Sequence, residues 1–261
     1  MKNLRHLYLF KELLFTDFAV LKQVVVDQVI NLMIWVICNV LVMSYLLPSF
    51  GLSESYGSFI LAGLCASAGL FGVFPSVVNL ISDFEGDRII DYYLTLPLPS
   101  WLVFVRAMFY YAINAAIIGA MVLPLGKLLL WNSFDITQVC LYKFLIIFVV
   151  TNLFYGAFTL WIASRVKNMI KIGNVWMRFV FPIWFLGGFQ FSWHVLFQKW
   201  PILAYLNLLN PMTYIMEGTR AAVLGQSGYL PFWLCVTVIT IFCVLCAWHS
   251  IIRLKKRLDF I

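Results

Sequence analysis

The residue types that perform chemistry are thinly spread in this chain. His6, His194 and His249 stand in three separate regions with no carboxylate or cysteine beside them. Cys38, Cys65, Cys140, Cys235, Cys243 and Cys246 are scattered through apolar runs with neither disulfide nor zinc spacing, so they read as small hydrophobes. No G-x-x-x-x-G-K-[ST], H-E-x-x-H or G-x-S-x-G occurs, which leaves no nucleotide cradle, zinc motif or nucleophile elbow. No catalytic residue, metal ligand or cofactor site is expected, and any energy source must come from another chain. What remains is one polar stretch, Asp83 to Pro99, held between two apolar runs. Asp83, Asp87 and Asp91 recur every fourth residue along one side of a short helix, with Glu85, Arg88 and Tyr92 among them and Ile89, Ile90, Tyr93 and Leu94 supplying apolar surface. Asp83 is placed to cap the N-terminus, acidic side chains suit the first turn, and Pro97 and Pro99 end the helix. Such an element suits docking on something outside a membrane.

The elements that position this stretch follow from composition. Of 261 residues, 63% are hydrophobic and 11% charged, against about 25% charged in soluble domains. The apolar runs reach 20 residues or more, which fits helices, because barrel strands need only about ten alternating residues. The expectation is an all-α polytopic membrane protein, a single domain with no cleaved signal peptide. Residues 1–22 form an amphipathic segment, and six spans follow at about 24–47, 57–82, 100–125, 138–164, 174–193 and 232–252. Residues 202–224 are apolar enough for another span but contain Asn207, Asn210, Pro211, Glu217 and Arg220. Each central charge costs roughly 2.5–3.5 kcal/mol on the insertion scale. A pair of short re-entrant or surface helices broken at Asn210-Pro211 fits better. With six spans, twelve basic residues, from Lys2 to Lys22, at Arg88, from Arg165 to Lys171 and from Arg253 to Arg257, share one side against Lys127, Lys143, Lys199 and Arg220. Both termini are therefore expected in the cytoplasm.

Polar groups at membrane depth are costly and so usually paired or functional. Asp27, Gln28 and Asn31 lie early in the first span and Arg106 at similar depth in the third; Asp27 and Arg106 can pair, or each can snorkel to the interface. Glu217 and Arg220, three apart, can pair on one helix face. Asn39, Asn79, Asn114 and Asn152 can bond between helices or line a path. The fifth span is dense in rings, of which Phe181, Trp184 and Phe185 could line a conduit for an amphipathic or sugar-bearing substrate. Gly63, Ala66, Ser67, Gly69 and Gly72, and Ala112, Ala115, Ala116 and Gly119, mark stripes for close helix approach.

Six spans, the helix within Phe84–Pro99 and the segment Leu209–Arg220, with its Asn210-Pro211-x-x-Tyr214 core, together resemble the membrane subunit of an ABC-2-type transporter. That resemblance implies an ATP-driven exporter of a lipid, glycolipid or other amphipath, built from two permease subunits, this chain or a homologue, and two cytoplasmic ATPases that bind ATP and magnesium. It implies that residues 83–97 form a coupling helix in a cleft of the ATPase, through Asp83, Glu85, Asp87, Arg88, Asp91 and Tyr92. Residues 1–22 become a connecting helix, and residues 196–225 outer gate helices carrying Asn210, Pro211, Tyr214, Glu217 and Arg220. The location implied is the cell inner (plasma) membrane, with membrane lipid as a neighbour and no nucleic acid partner. The chain departs from the usual acidic run of the family at Asp87-Arg88 and lacks the basic opening of capsule and O-antigen exporters. A polysaccharide or drug exporter subunit, a non-transporting anchor or sensor, and a membrane acyl or prenyl transferase are the alternatives; the last would need His or paired carboxylates at depth.

Overall fold

The computed structural model describes residues 2–51, 53, 56–86, 88–131 and 133–258, with the side chains of 2–5 and 7 outside that description. Asp87, the central acid of the polar stretch, lies outside the described residues.

The first helix, α1 (Lys2–Val40), continues through a π turn at Leu41–Leu46 to Ser49. The amphipathic segment and the first span are thus one helix, because no glycine or proline occurs between Lys2 and Leu47 to break it. After it come α2 (Tyr56–Glu85), α3 (Ile89–Thr95), α4 (Ser100–Ala120) and α5 (Val122–Leu129). The second half holds α6 (Leu141–Ala163), α7 (Met169–Phe189), α8 (Trp193–Lys199), α9 (Pro201–Asn207), α10 (Pro211–Val223) and α11 (Phe232–Leu258). Among the described residues, six helical stretches are long and apolar enough to cross a membrane: Tyr8–Ser49, Tyr56–Glu85, Ser100–Leu129, Leu141–Ala163, Met169–Phe189 and Phe232–Leu258. The chain is an all-α polytopic membrane protein. Residues 202–224 do not form one long helix: Asn210 divides them into α9 and α10.

α2 is the centre of the bundle, touched by α1, α4, α5, α6 and α10. Residues 60–70 are buried without interruption, as expected of a helix apolar on every side. Small residues set its neighbours' approach. A Cβ at Gly69 would meet the Tyr155 ring of α6, and one at Gly156 would meet the Met108 carbonyl and Ala112 of α4. Helix backbones therefore come close at these points, where dispersion replaces the hydrophobic drive that lipid removes. α11 runs along α6 on the opposite side.

Two ends of the bundle can be told apart by their ties. At one, Arg257 of α11 donates to the carbonyls of Ala163, Val166 and Lys167, capping the C-terminus of α6 with a cation where the dipole is negative. At the other, Tyr45 donates to the Leu129 carbonyl (2.5 Å), Ser58 Oγ to the Ser133 carbonyl (3.1 Å) and the Cys140 amide to the Ala222 carbonyl (2.9 Å). Asp135 caps a short turn there, accepting from the Thr137 amide and hydroxyl, and the hydroxyl bond first, then the amide bond, hold its carboxyl below the usual range.

Candidate functional site

The polar stretch forms a short helix on a bent support. α2 runs on through Asp83 to Glu85, and the chain turns at Gly86 before α3 begins at Ile89. The Asp83 carboxylate accepts from the amides of Ile89 (2.7 Å) and Ile90 (3.0 Å). It is a true N-terminal cap, but one reaching back across the turn from the last turn of α2. The structure thus shortens the helix expected over 83–97 to Ile89–Thr95 and moves Asp83 and Glu85 onto the preceding span. Arg88 holds the connection at φ 50°, a left-handed conformation that costs a side-chain-bearing residue about 1–2 kcal/mol.

One face of this unit is anchored and the other is free. Ile90 is buried, whereas Glu85, Arg88, Ile89, Tyr92 and Thr95 are exposed and Asp91 is half-buried. Tyr93 carries the anchor: its ring lies 4.0 Å from the Arg106 guanidinium. Arg106 is itself held by two bonds to Asp17, Nε to Oδ2 at 2.7 Å and a terminal nitrogen to Oδ1 at 2.6 Å. Arg106 therefore neither pairs with Asp27 nor snorkels to the interface: it is buried and its partner is Asp17. Asp27 lies about 15 Å further along α1 than Asp17 at ~1.5 Å per residue, and it is exposed. On the other flank the Arg257 guanidinium lies 4.8 Å from the Phe84 ring. Neither Asp17 nor Arg257 stands out in the sequence as part of this unit. A lone acid among Leu14, Phe18 and Leu21 was the available signal for Asp17.

At the opposite end, Asn210 and Pro211 start α10 as the pattern predicts. Asn210 Oδ1 accepts from the Met212 amide (3.0 Å), Pro211 occupies the first turn, where no amide proton is needed, and Asn210 Nδ2 donates to the Ile183 carbonyl of α7 (2.7 Å). Tyr214 is buried in the core. Glu217 and Arg220 approach to 3.8 Å, yet their hydrogen bonds go elsewhere. Glu217 accepts from the amides of Trp193 (2.9 Å) and Leu230 (3.1 Å). Arg220, with no exposed surface, donates to the carbonyls of Gly188 (2.7 Å), Phe189 (2.8 Å) and Phe191 (3.2 Å), and its guanidinium lies 3.6 Å from the Phe59 ring. Tyr56 donates to the remaining carbonyl of that run, Gln190 (3.0 Å). Four consecutive carbonyls where α7 ends are therefore gripped from α2 and α10. Gly188 permits the turn, at φ 89°.

The expected path residues separate. Trp184 is buried among the rings of Phe189 (4.7 Å), Phe181, Phe71 and Phe185. Phe181 and Phe185 face outward. Asn39 donates to the Trp35 carbonyl of its own helix and makes no hydrogen bond to this cluster among the described residues.

Six spans, a short helix braced between two of them and a broken hairpin before the last span define an arrangement that a family profile also recognises: the profile described as ABC-2 type transporter matches residues 14–224. The chain belongs to the ABC-2 type transporter family. No curated protein matches it. As an ABC-2 permease it is the membrane subunit of an ABC transporter, a family that works with a cytoplasmic ATPase. The matched residues take in both the braced helix and the hairpin, so the permease's two polar constructions fall inside the shared part of the family.

Proposed function

We propose that this permease is the membrane half of an exporter that moves a lipid, glycolipid or other amphipath, and that two cytoplasmic ATPases drive it through α3. A second permease subunit, this chain or a homologue, completes the complex in the cell inner membrane, with both termini in the cytoplasm on the basic side. The observation that carries this reading is the division of labour on α3. Asp83, Tyr93 and Ile90 fix it to the spans, while Arg88, Ile89 and Tyr92 are left for a partner. A helix that is rigid toward the membrane and open away from it can convert a push into movement of α2 and α4. Lipid reaches the two permease subunits from the side, which suits a substrate already dissolved in the bilayer.

The test is reconstitution with a cytoplasmic ABC ATPase that co-purifies with it and a fluorescent-lipid export assay. Arg88→Glu with Tyr92→Asp removes exposed groups only, so expression and insertion should stay at wild-type level while ATP-dependent export falls at least tenfold. Undiminished export in that double variant would refute the assignment of α3. A reporter placed after residue 258 that is active only outside the cell would refute the orientation.

A further inference from the structure

A cavity of about 250 Å³ lies where α1, α2 and α4 meet, lined by Gln28, Asn31, Trp35, Phe71, Pro75 and Ile118 among others. Two features of it ask for a ligand. The side-chain oxygen of Gln28 is buried and has no hydrogen-bond partner. Pro75, inside α2, has no amide proton, so the Phe71 carbonyl one turn earlier loses its helical donor. Phe71 and Pro75 both line the cavity, so that turn of α2 forms part of its wall. One acceptor without a partner and one carbonyl without its usual helical donor stand at a membrane-depth pocket, where an unmet polar group costs most.

We propose that this cavity holds the hydroxyl-bearing headgroup of the transported amphipath, a sugar in chemical class. The amides of Gln28 and Asn31 offer donors and acceptors alike, but no Lys or Arg among the described residues lines the cavity, so a phosphate or carboxylate would enter uncompensated. Among the described residues no carboxylate lines the cavity to balance an ammonium ion, so a cationic headgroup would enter uncompensated as well. Hydroxyls of a neutral sugar satisfy Gln28, the Phe71 carbonyl and the Asn31 amide, while the rings of Trp35 and Phe71, 5.3 Å apart, offer faces to its C–H surface. The volume is below the roughly 300–1,000 Å³ of pockets that enclose a whole drug-sized ligand. It suits a headgroup whose acyl chains remain outside, past Asn31 and Trp35, which are exposed at its mouth. Phe71 also meets Trp184 (5.7 Å), linking the cavity to the ring cluster beneath the Arg220 grip. The inference rests on the exporter reading and narrows its substrate.

The experiment uses the full-length chain with its ATPase in nanodiscs and three photoreactive lipids with one diazirine-bearing acyl chain: glucosyl diacylglycerol, diacylglycerol and phosphatidic acid. Labelling of the peptides holding Gln28–Trp35 and Phe71–Pro75 should be about tenfold greater with the glucosyl lipid. Gln28→Leu, which removes an unmet acceptor and so leaves folding intact, should lower that labelling three- to tenfold, the worth of one hydrogen bond. Pro75→Ala, which gives the Phe71 carbonyl its helical donor back, should lower it similarly. Equal labelling by diacylglycerol, preference for phosphatidic acid, or indifference to both substitutions overturns the site. ATP-driven movement of lipid, measured on the same nanodisc-purified chain in liposomes, separates the two readings. Transport without headgroup-dependent labelling sinks the cavity alone, and labelling without transport of any lipid sinks the exporter alone.

Discussion

The Asp17–Arg106 pair gives the sharpest energetic prediction. Both side chains are almost fully enclosed, at 12% and 9% relative exposure, and the pair joins α1 to α4 while Tyr93 of α3 rests on the guanidinium. Removing one member leaves the other charge buried without compensation, which costs about 3–5 kcal/mol. Replacing both by apolar groups removes the debt as well as the bond and is often close to neutral. Asp17→Leu and Arg106→Met should each lower the melting temperature in detergent by roughly 6–20 °C, taking 1 kcal/mol as about 2–4 °C for a chain of this size. The Asp17→Leu/Arg106→Met double variant should recover most of that loss, giving a coupling energy of about 3 kcal/mol or more in a double-mutant cycle. Export should not recover with it, because Tyr93 has lost the cation that ties α3 to the spans. Additive single effects, or single losses under about 1 kcal/mol, would refute the account of this pair.

Arg220 makes a second prediction. Arg220→Lys keeps the charge but not the planar fork that serves three carbonyls at once, so it should destabilise the chain nearly as much as Arg220→Met, as measured by thermal inactivation in detergent. Asp83→Ala should cost about 0.5–2 kcal/mol by leaving the Ile89 and Ile90 amides uncapped, and amide exchange over residues 88–95 should rise while that of α4 stays low. Arg88→Gly relieves the positive φ and should slow exchange in the same segment. Gly156→Leu forces α6 off the Met108 carbonyl and should abolish recovery of folded protein, whereas the same change at Gly173, which faces open space, should not.

The six spans, the break at Asn210 and the existence of the short helix were all legible, because each is written in apolar run length, proline placement or capping chemistry. Partners across the bundle were not. For Arg106 the sequence leaves pairing with Asp27 and snorkelling both open, whereas the unbroken α1 carries Asp17 to its depth, and no local pattern fixes where a continuous helix meets the interface. Asp83 was correctly seen as a cap, yet assigning it to the short helix missed that α2 continues through it. Glu217 and Arg220, three apart, do pair, at 3.8 Å, as their spacing predicts. What the spacing does not show is that their hydrogen bonds go to backbone at 188, 189, 191, 193 and 230, contacts that only the folding of α7 against α10 creates. Arg257 entered as a charge for topology, although its guanidinium closes the end of α6.

The position of the Asp83 carboxylate has a thermodynamic consequence. It belongs to a membrane-spanning helix but stabilises the start of a helix that lies beyond it, so the axial rotation of α2 and the folding of α3 share one equilibrium. Any twist of α2 that withdraws the carboxylate frays the foot, and any protein that clasps the ordered foot must, by reciprocity, favour the untwisted setting of the span. Occupancy outside the bilayer and helix orientation inside it are then two readings of a single bonded contact.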